Sequence, residues 1–120
     1  MNYFFDTYAL IEIIKGNINY RKYLDSEIFT SIFNLYELYF IILKEFNEQT
    51  AKKFFYEFKD KVLEINEEHI FDASEIKLKN IKKRLSYADC LGYALSLNCG
   101  MKFLTGDKEF ENFNNVEFVK

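Results

Sequence analysis

The 120-residue sequence contains no proline and no tryptophan, and it has one histidine, two cysteines and four glycines. No linker, repeat or low-complexity tract interrupts it, so nothing marks an internal boundary, and one domain over residues 1–120 is expected. The lone His69, near an expected helix start, reads as a surface residue, and a zinc centre built on histidine and cysteine is not expected. Cys90 and Cys99 fall in one expected helix. Nine residues there span roughly 13 Å at about 1.5 Å per residue, too far for a disulfide. No run approaches the roughly 18 apolar residues of a membrane span. The N-terminus has no basic segment before its first apolar run. Reduced thiols and the absence of a leader pattern fit an intracellular, cytoplasmic chain. Excess basic charge is lacking too: the net charge is −3, which argues against a passive nucleic-acid binder. It leaves room for a nuclease whose acids hold cations.

What is present is a core. Hydrophobic residues make up 49% and charged residues 29% of the chain, the balance of a globular domain. Strand-like and helix-like segments alternate. Strands are expected at Tyr3–Phe5, Glu27–Thr30, Lys61–Ile65, Met101–Leu104 and Val116–Val119. Helices are expected from Asp6 to Lys15 with Gly16 as the stop, over Asn19–Leu24, Ser31–Phe46, Glu48–Asp60, Glu67–Arg84 and Ser86–Gly100, with a short one starting near Asp107. Such alternation predicts an α/β domain of three layers, a central parallel sheet of four to five strands flanked by helices. In such sheets the functional crevice lies beyond the carboxyl ends of the strands, where Asp6 and Asp107 both fall.

Taken singly, these acids have ordinary explanations. Asp6 and Asp107 suit helix N-caps, and Ser86-Tyr87-Ala88-Asp89 reads as a capping box with Asp for Glu. Glu37 is harder to explain away. Its helix is apolar on almost every side, and Ser31, Asn34 and Glu37 recur every three residues as one polar stripe. A helix apolar all round is expected to pack on both sides, where an ionised Glu costs several kcal/mol unless it is paired or holds a cation. Lys44, two turns along, is the alternative partner. Clustered acids repel one another, and a cluster of carboxylates alone suits a hard cation such as Mg²⁺ or Mn²⁺. Gly92, inside a helix, suggests close packing against the first strand. The basic run Lys77–Arg84 reads as a solvated helix face more readily than as an RNA track. Cys90, with no histidine beside it, reads as a buried helix residue.

The segments FFDTYALIE (Phe4–Glu12), TSIFNLYELYF (Thr30–Phe40), LSYADCLGYALSLNCG (Leu85–Gly100) and FLTGDKEF (Phe103–Phe110) occur in the order and spacing of PIN-domain ribonucleases. Over nearly its whole length the chain resembles the small VapC-type toxins of toxin–antitoxin pairs. The resemblance implies a PIN-like fold and a metal-dependent endoribonuclease. Position by position, it carries the acidic quartet onto Asp6, Glu37, Asp89 and Asp107, as catalytic residues and as ligands of one or two Mg²⁺ or Mn²⁺ ions, directly or through water. Thr105 matches the small hydroxyl residue that helps orient the last acid, and Glu109 falls at a variable polar position. The resemblance further implies an RNA substrate such as tRNA or rRNA, a cognate antitoxin and a homodimer. Tyr36–Leu43, within an unusually aromatic chain, is the expected contributor to the self-interface. Two other readings stay open: an RNA-processing PIN nuclease outside any toxin pair, and a PIN-like protein-binding module without catalysis. The presence of all four acids weighs against the second. A receiver-like phosphoacceptor domain would need an acidic pair after the first strand and an Asp after the third, and this chain has a single acid in FFDT and no Asp in EINEEH.

Overall fold

The computed structural model describes all residues, Met1–Lys120. Four strands, β1 (Tyr3–Phe5), β2 (Ile28–Phe29), β3 (Lys102–Thr105) and β4 (Val116–Phe118), form one sheet in the order β2-β1-β3-β4. Every pairing is parallel. Five α-helices, α1 (Thr7–Lys15), α2 (Ile32–Glu45), α3 (Glu48–Phe58), α4 (Glu67–Lys79) and α5 (Tyr87–Asn98), alternate with the strands or run in pairs between them. None is long and apolar enough to cross a membrane.

The two central strands explain the layering. Successive side chains along a strand point to opposite faces. Phe4 and Phe103 therefore enter one core, with Leu91, Ala94 and Leu95 of α5. Phe5 and Leu104 enter the other, with Leu10 of α1, Leu35 and Leu38 of α2 and Phe58 of α3. All four strand residues are fully buried, as a parallel sheet covered on both faces requires. Gly92 of α5 lies directly on the Phe4 ring: a Cβ there would stand 2.7 Å from the ring's Cε1. That close approach to the first strand accounts for the glycine within the helix.

The order β2-β1-β3-β4 places the topological switch point, where successive strands are added to opposite sides, between β1 and β3. The loops after these two strands begin with Asp6 and end with Asp107. A 3-10 segment, Ile18–Asp25, clamps the outer strand through Tyr20 Oη to the Val119 carbonyl (2.5 Å) and Tyr23 Oη to Glu117 Oε2 (2.6 Å).

Several expectations need correction. Lys61–Ile65 is not a strand, and only a single bridge pairs Thr30 with Val62. The two-residue β2 offers one further residue for pairing, after which Leu63 and Ile65 turn into the core beside α5. The helix expected to reach Arg84 stops at Lys79, because the Asn80 amide bonds back to the Ile76 carbonyl (2.8 Å). The helix expected to reach Gly100 stops at Asn98, and Gly100 turns left-handed (φ 68°). His69 is not a surface residue. It is 9% exposed, and its Nδ1 accepts the Asn66 N–H (3.1 Å) in a capping box that starts α4. Nor is α2 enclosed on all sides: Ile32, Phe33, Tyr36, Phe40 and Leu43 form an exposed apolar face. Both cysteines are free thiols, Cys90 buried in α5 and Cys99 exposed at its C-cap.

Candidate active site

Asp6, Glu37, Asp89 and Asp107 line one pocket of about 380 Å³ at the carboxyl end of β1 and β3, together with Thr7, Tyr8, Ile11, Phe40 and Ile41. No lysine or arginine is among these residues. The ion pairs of the molecule, Lys15–Glu12, Lys52–Glu48 and Lys79–Glu75, all lie elsewhere, and Lys44 rests on the Phe40 ring instead of reaching Glu37.

The capping roles and the convergence hold at once. Asp6 Oδ1 accepts the Ala9 N–H (2.8 Å) and so starts α1. Asp89 Oδ2 accepts the Ser86 N–H (2.8 Å) while the Ser86 hydroxyl accepts the Asp89 N–H (3.0 Å), a complete capping box for α5. Asp107 Oδ1 accepts the Glu109 N–H (3.0 Å) at the start of the 3-10 turn Lys108–Phe110. Each aspartate thus spends one oxygen on a backbone amide. The helix start fixes the rotamer that presents the carboxylate. Thr105 Oγ1 accepts the Asp107 N–H (3.0 Å) and so fixes the loop after β3, and its nearness also favours the ionised Asp6 carboxyl.

Glu37 is oriented by a relay that sequence reasoning only half revealed. The Thr7 hydroxyl donates to Glu37 Oε1 (2.7 Å) and accepts from Asn34 Nδ2 (3.1 Å). Asn34 Oδ1 in turn accepts the Ser31 hydroxyl (2.6 Å). The polar stripe Ser31, Asn34, Glu37 is therefore one hydrogen-bonded line, with Ser31 and Asn34 fully buried. Thr7 is the member the sequence did not signal, because a threonine in a first helical turn is unremarkable by itself. Thr7→Val leaves the buried Asn34 amide without its acceptor, at a cost of about 1–3 kcal/mol, and frees the Glu37 side chain. The expected result is a melting temperature several degrees lower, with Thr7→Ser at the wild-type value. A Thr7→Val protein that melts with wild type removes the relay from the account.

Electrostatics mark the cluster as strained in the absence of a counter-charge. Burial pushes the Asp6 carboxyl up to about 8, against the lowering effect of its Thr105 and Ala9 hydrogen bonds, and the charges of Asp89 and Asp107 add to the rise. Burial likewise raises Asp89 to about 6, with Glu37 and Asp107 contributing. In this arrangement no three of the chain's acidic, histidine or cysteine side chains stand close enough to grip one ion between them. The donor chemistry still fits a hard divalent cation: four carboxylates, no nitrogen or sulfur, one uncommitted oxygen on each aspartate and no protein cation in the pocket. Glu109 contributes its backbone N–H to Asp107 and does not line the pocket. The basic run 77–84 lies away from it; Lys77 is occupied by the Leu85 carbonyl (2.6 Å) and the Tyr87 ring.

A parallel α/β domain with an acidic pocket at its switch point is a recognisable class. The PIN domain model matches residues 3–116, and the chain belongs to that family. No curated protein matches it by sequence. Among solved structures it is similar to the sarcin–ricin-loop-cleaving toxin VapC20 of Mycobacterium tuberculosis, with a TM-score of 0.77 at 16% identity, covering 98% of this chain and 97% of that one. It is also similar to VapBC-1 of nontypeable Haemophilus influenzae, with a TM-score of 0.75 at 17% identity over 100% and 98% of the two chains. A toxin–antitoxin complex of Klebsiella pneumoniae gives 0.73 at 16% identity over 97% and 96%. At these identities the likeness is one of fold, and it covers the sheet and both helical layers.

Proposed function

We propose that this chain is a divalent-metal-dependent endoribonuclease that hydrolyses RNA phosphodiester bonds, and that it serves as the toxin of a toxin–antitoxin pair. The observation that carries the reading is the convergence of Asp6, Glu37, Asp89 and Asp107 on one cation-free pocket of a PIN domain. Mg²⁺ or Mn²⁺, when bound by these residues, supplies positive charge at the scissile phosphate and lowers the pKa of water. The rest belongs to the protein. The caps of α1 and α5 hold Asp6 and Asp89 in fixed rotamers, Thr105 holds the Asp107 loop, and the Thr7–Asn34 relay holds Glu37. No side-chain nucleophile is needed, and the buried Cys90 lies outside the pocket.

The toxin assignment is supported by the likeness in fold to VapC structures, several of them solved as toxin–antitoxin complexes. An antitoxin and a second copy of the chain find suitable surface on the exposed side of α2. Two apolar grooves meet there at Phe33: one of about 420 Å³ with Ile70, Ile81 and Leu91, another of about 570 Å³ with Ile32, Tyr39 and Phe55.

The test is cleavage of tRNA and of rRNA fragments with Mn²⁺, with Mg²⁺ and with EDTA, for wild type and Asp107→Asn. Cutting that requires the metal and is lost in the variant is the expected outcome. Cutting that survives EDTA overturns the metal-dependent reading. Absence of both cleavage and Mn²⁺ binding leaves the three aspartates as helix caps and Glu37 as the end of the Thr7–Asn34 relay.

A further inference from the structure

Lys79, Lys82, Lys83 and Arg84 of the basic run are exposed, whereas Lys77 stands half-buried in the last turn of α4. A lysine there ordinarily serves the open carbonyls of its own helix. Lys77 does not bond them, and it takes no part in the ion pairs of the molecule. Its Nζ crosses to the entrance of α5. There it donates to the Leu85 carbonyl (2.6 Å) and rests 4.7 Å from the centroid of the Tyr87 ring. The residue between those two is Ser86, the N-cap of α5. No backbone amide competes for the Leu85 carbonyl.

The Leu85 carbonyl and the Ser86 N–H are the two ends of one peptide unit, which is planar and turns as a rigid plate. Lys77 holds the carbonyl end. The N–H end donates to Asp89 Oδ2 (2.8 Å). Ammonium, peptide and carboxylate thus form one line of hydrogen bonds. Positive charge at one end polarises the N–H that meets negative charge at the other. The buried Leu85 and Cys90 side chains fix the course of the chain here, but a peptide plane can still rotate between two fixed Cα atoms. We propose that Lys77 is a positioning residue for Asp89, acting from outside the carboxylate pocket through the Leu85–Ser86 peptide. It sets the direction of Asp89 Oδ1, the oxygen that the capping box leaves uncommitted. The inference rests on the ribonuclease reading and deepens it, because it names what aligns one of the four acids to receive the cation. Groups that hold metal ligands from behind change metal affinity by about ten- to a hundred-fold.

The experiment compares wild type with Lys77→Met, Lys77→Arg and Lys79→Met, by amide hydrogen exchange in EDTA and by RNA cleavage across a range of Mn²⁺ concentrations. Methionine keeps an unbranched apolar stem without the donor, whereas arginine keeps both a donor and a charge for the Tyr87 ring. Lys79→Met removes an exposed cation from the same helix. In Lys77→Met the Ser86 amide exchanges about ten-fold faster, while amides in the middle of α5 keep their wild-type rates. The Mn²⁺ concentration for half-maximal cleavage rises about ten-fold or more, and saturating Mn²⁺ restores the rate. Lys77→Arg and Lys79→Met behave as wild type. A folded Lys77→Met protein with the wild-type Mn²⁺ requirement overturns the proposal and leaves the nuclease standing. So does faster exchange throughout α4 and α5 with slower cleavage at every Mn²⁺ concentration, which makes Lys77 a prop of the fold only. Wild type that neither binds Mn²⁺ nor cuts RNA removes the ribonuclease reading and the positioning role together, whatever Ser86 does.

Discussion

Asp6→Asn is expected to slow the proposed RNA cleavage severely and, in EDTA at pH 8, to melt at a higher temperature than wild type. The two effects share one cause. Asp6 is 2% exposed, and its carboxyl is raised from 3.8 to about 8 by burial first and by the neighbouring Asp89 and Asp107 charges after it. A carboxyl whose folded value lies above its unfolded value binds its proton more tightly in the native state. Stability is then highest below the unfolded value and declines as pH rises from about 4 through about 8. Integrated over that window, the loss is on the order of a few kcal/mol. Asparagine keeps an oxygen for the Ala9 N–H, and with it the cap of α1, but has no charge to bury. The gain over wild type is expected to be about 5 °C or more at pH 8 and to shrink toward pH 5. Cleavage falls on the order of a hundred-fold or more, because the site loses one of the carboxylates that would hold the cation stabilising charge at the phosphate. Melting curves at the two pH values and initial cleavage rates check both halves. An Asp6→Asn protein less stable than wild type at pH 8 refutes the electrostatic account, whatever its activity.

Gly106→Ala should be nearly as severe, for a steric reason. Gly106 lies between Thr105 and Asp107, and a Cβ on it would overlap the Tyr8 ring and the Val119 carbonyl oxygen. Neither neighbour gives way easily. The carbonyl belongs to the backbone and already accepts the Tyr20 hydroxyl at 2.5 Å; the Tyr8 ring packs against Tyr20, with centroids 6.5 Å apart. Overpacking of this kind costs about 1–3 kcal/mol, and relief comes only by moving the loop that holds Asp107. Displacement of a catalytic group by about 1 Å reduces rates by up to about a hundred-fold. The expected outcome is a lower melting temperature together with cleavage at least about ten-fold slower. Wild-type values for both in Gly106→Ala show that the loop yields freely.

Much of this was legible in the chain. Strands buried on both faces are nearly continuous apolar runs, so the segments Tyr3–Phe5 and Met101–Leu104 are legible as strands, observed as Tyr3–Phe5 and Lys102–Thr105, and so are the acids just beyond them. The Ser86–Asp89 box is a local pattern and is present as read. Glu37 was conspicuous because a polar stripe on an apolar helix demands an explanation. The misses have physical reasons too. Lys61–Ile65 has strand composition, but a strand needs a partner, and the neighbouring β2 is two residues long. The exposed face of α2 reads as buried in the sequence, because apolar periodicity reports what can be covered, not what covers it. Here Tyr36 is 71% exposed. Nothing in the sequence puts His69 inside, because a histidine that closes a helix start through Nδ1 leaves no signature distinct from any other polar residue there. Thr7 gives no sequence signal, because its two partners lie 27 and 30 residues away.

The contact between Gly92 and the Phe4 ring has a meaning beyond packing. Phe4 stands two residues before Asp6, and Gly92 stands three after Asp89. The ring is therefore a shim of fixed thickness between the two scaffolds that carry opposing acids. How far apart those acids sit is decided in dry hydrocarbon beneath them, by one benzene ring wedged against bare backbone. A thinner or thicker wedge resets the jaw of the site while every residue that faces the solvent stays as it was.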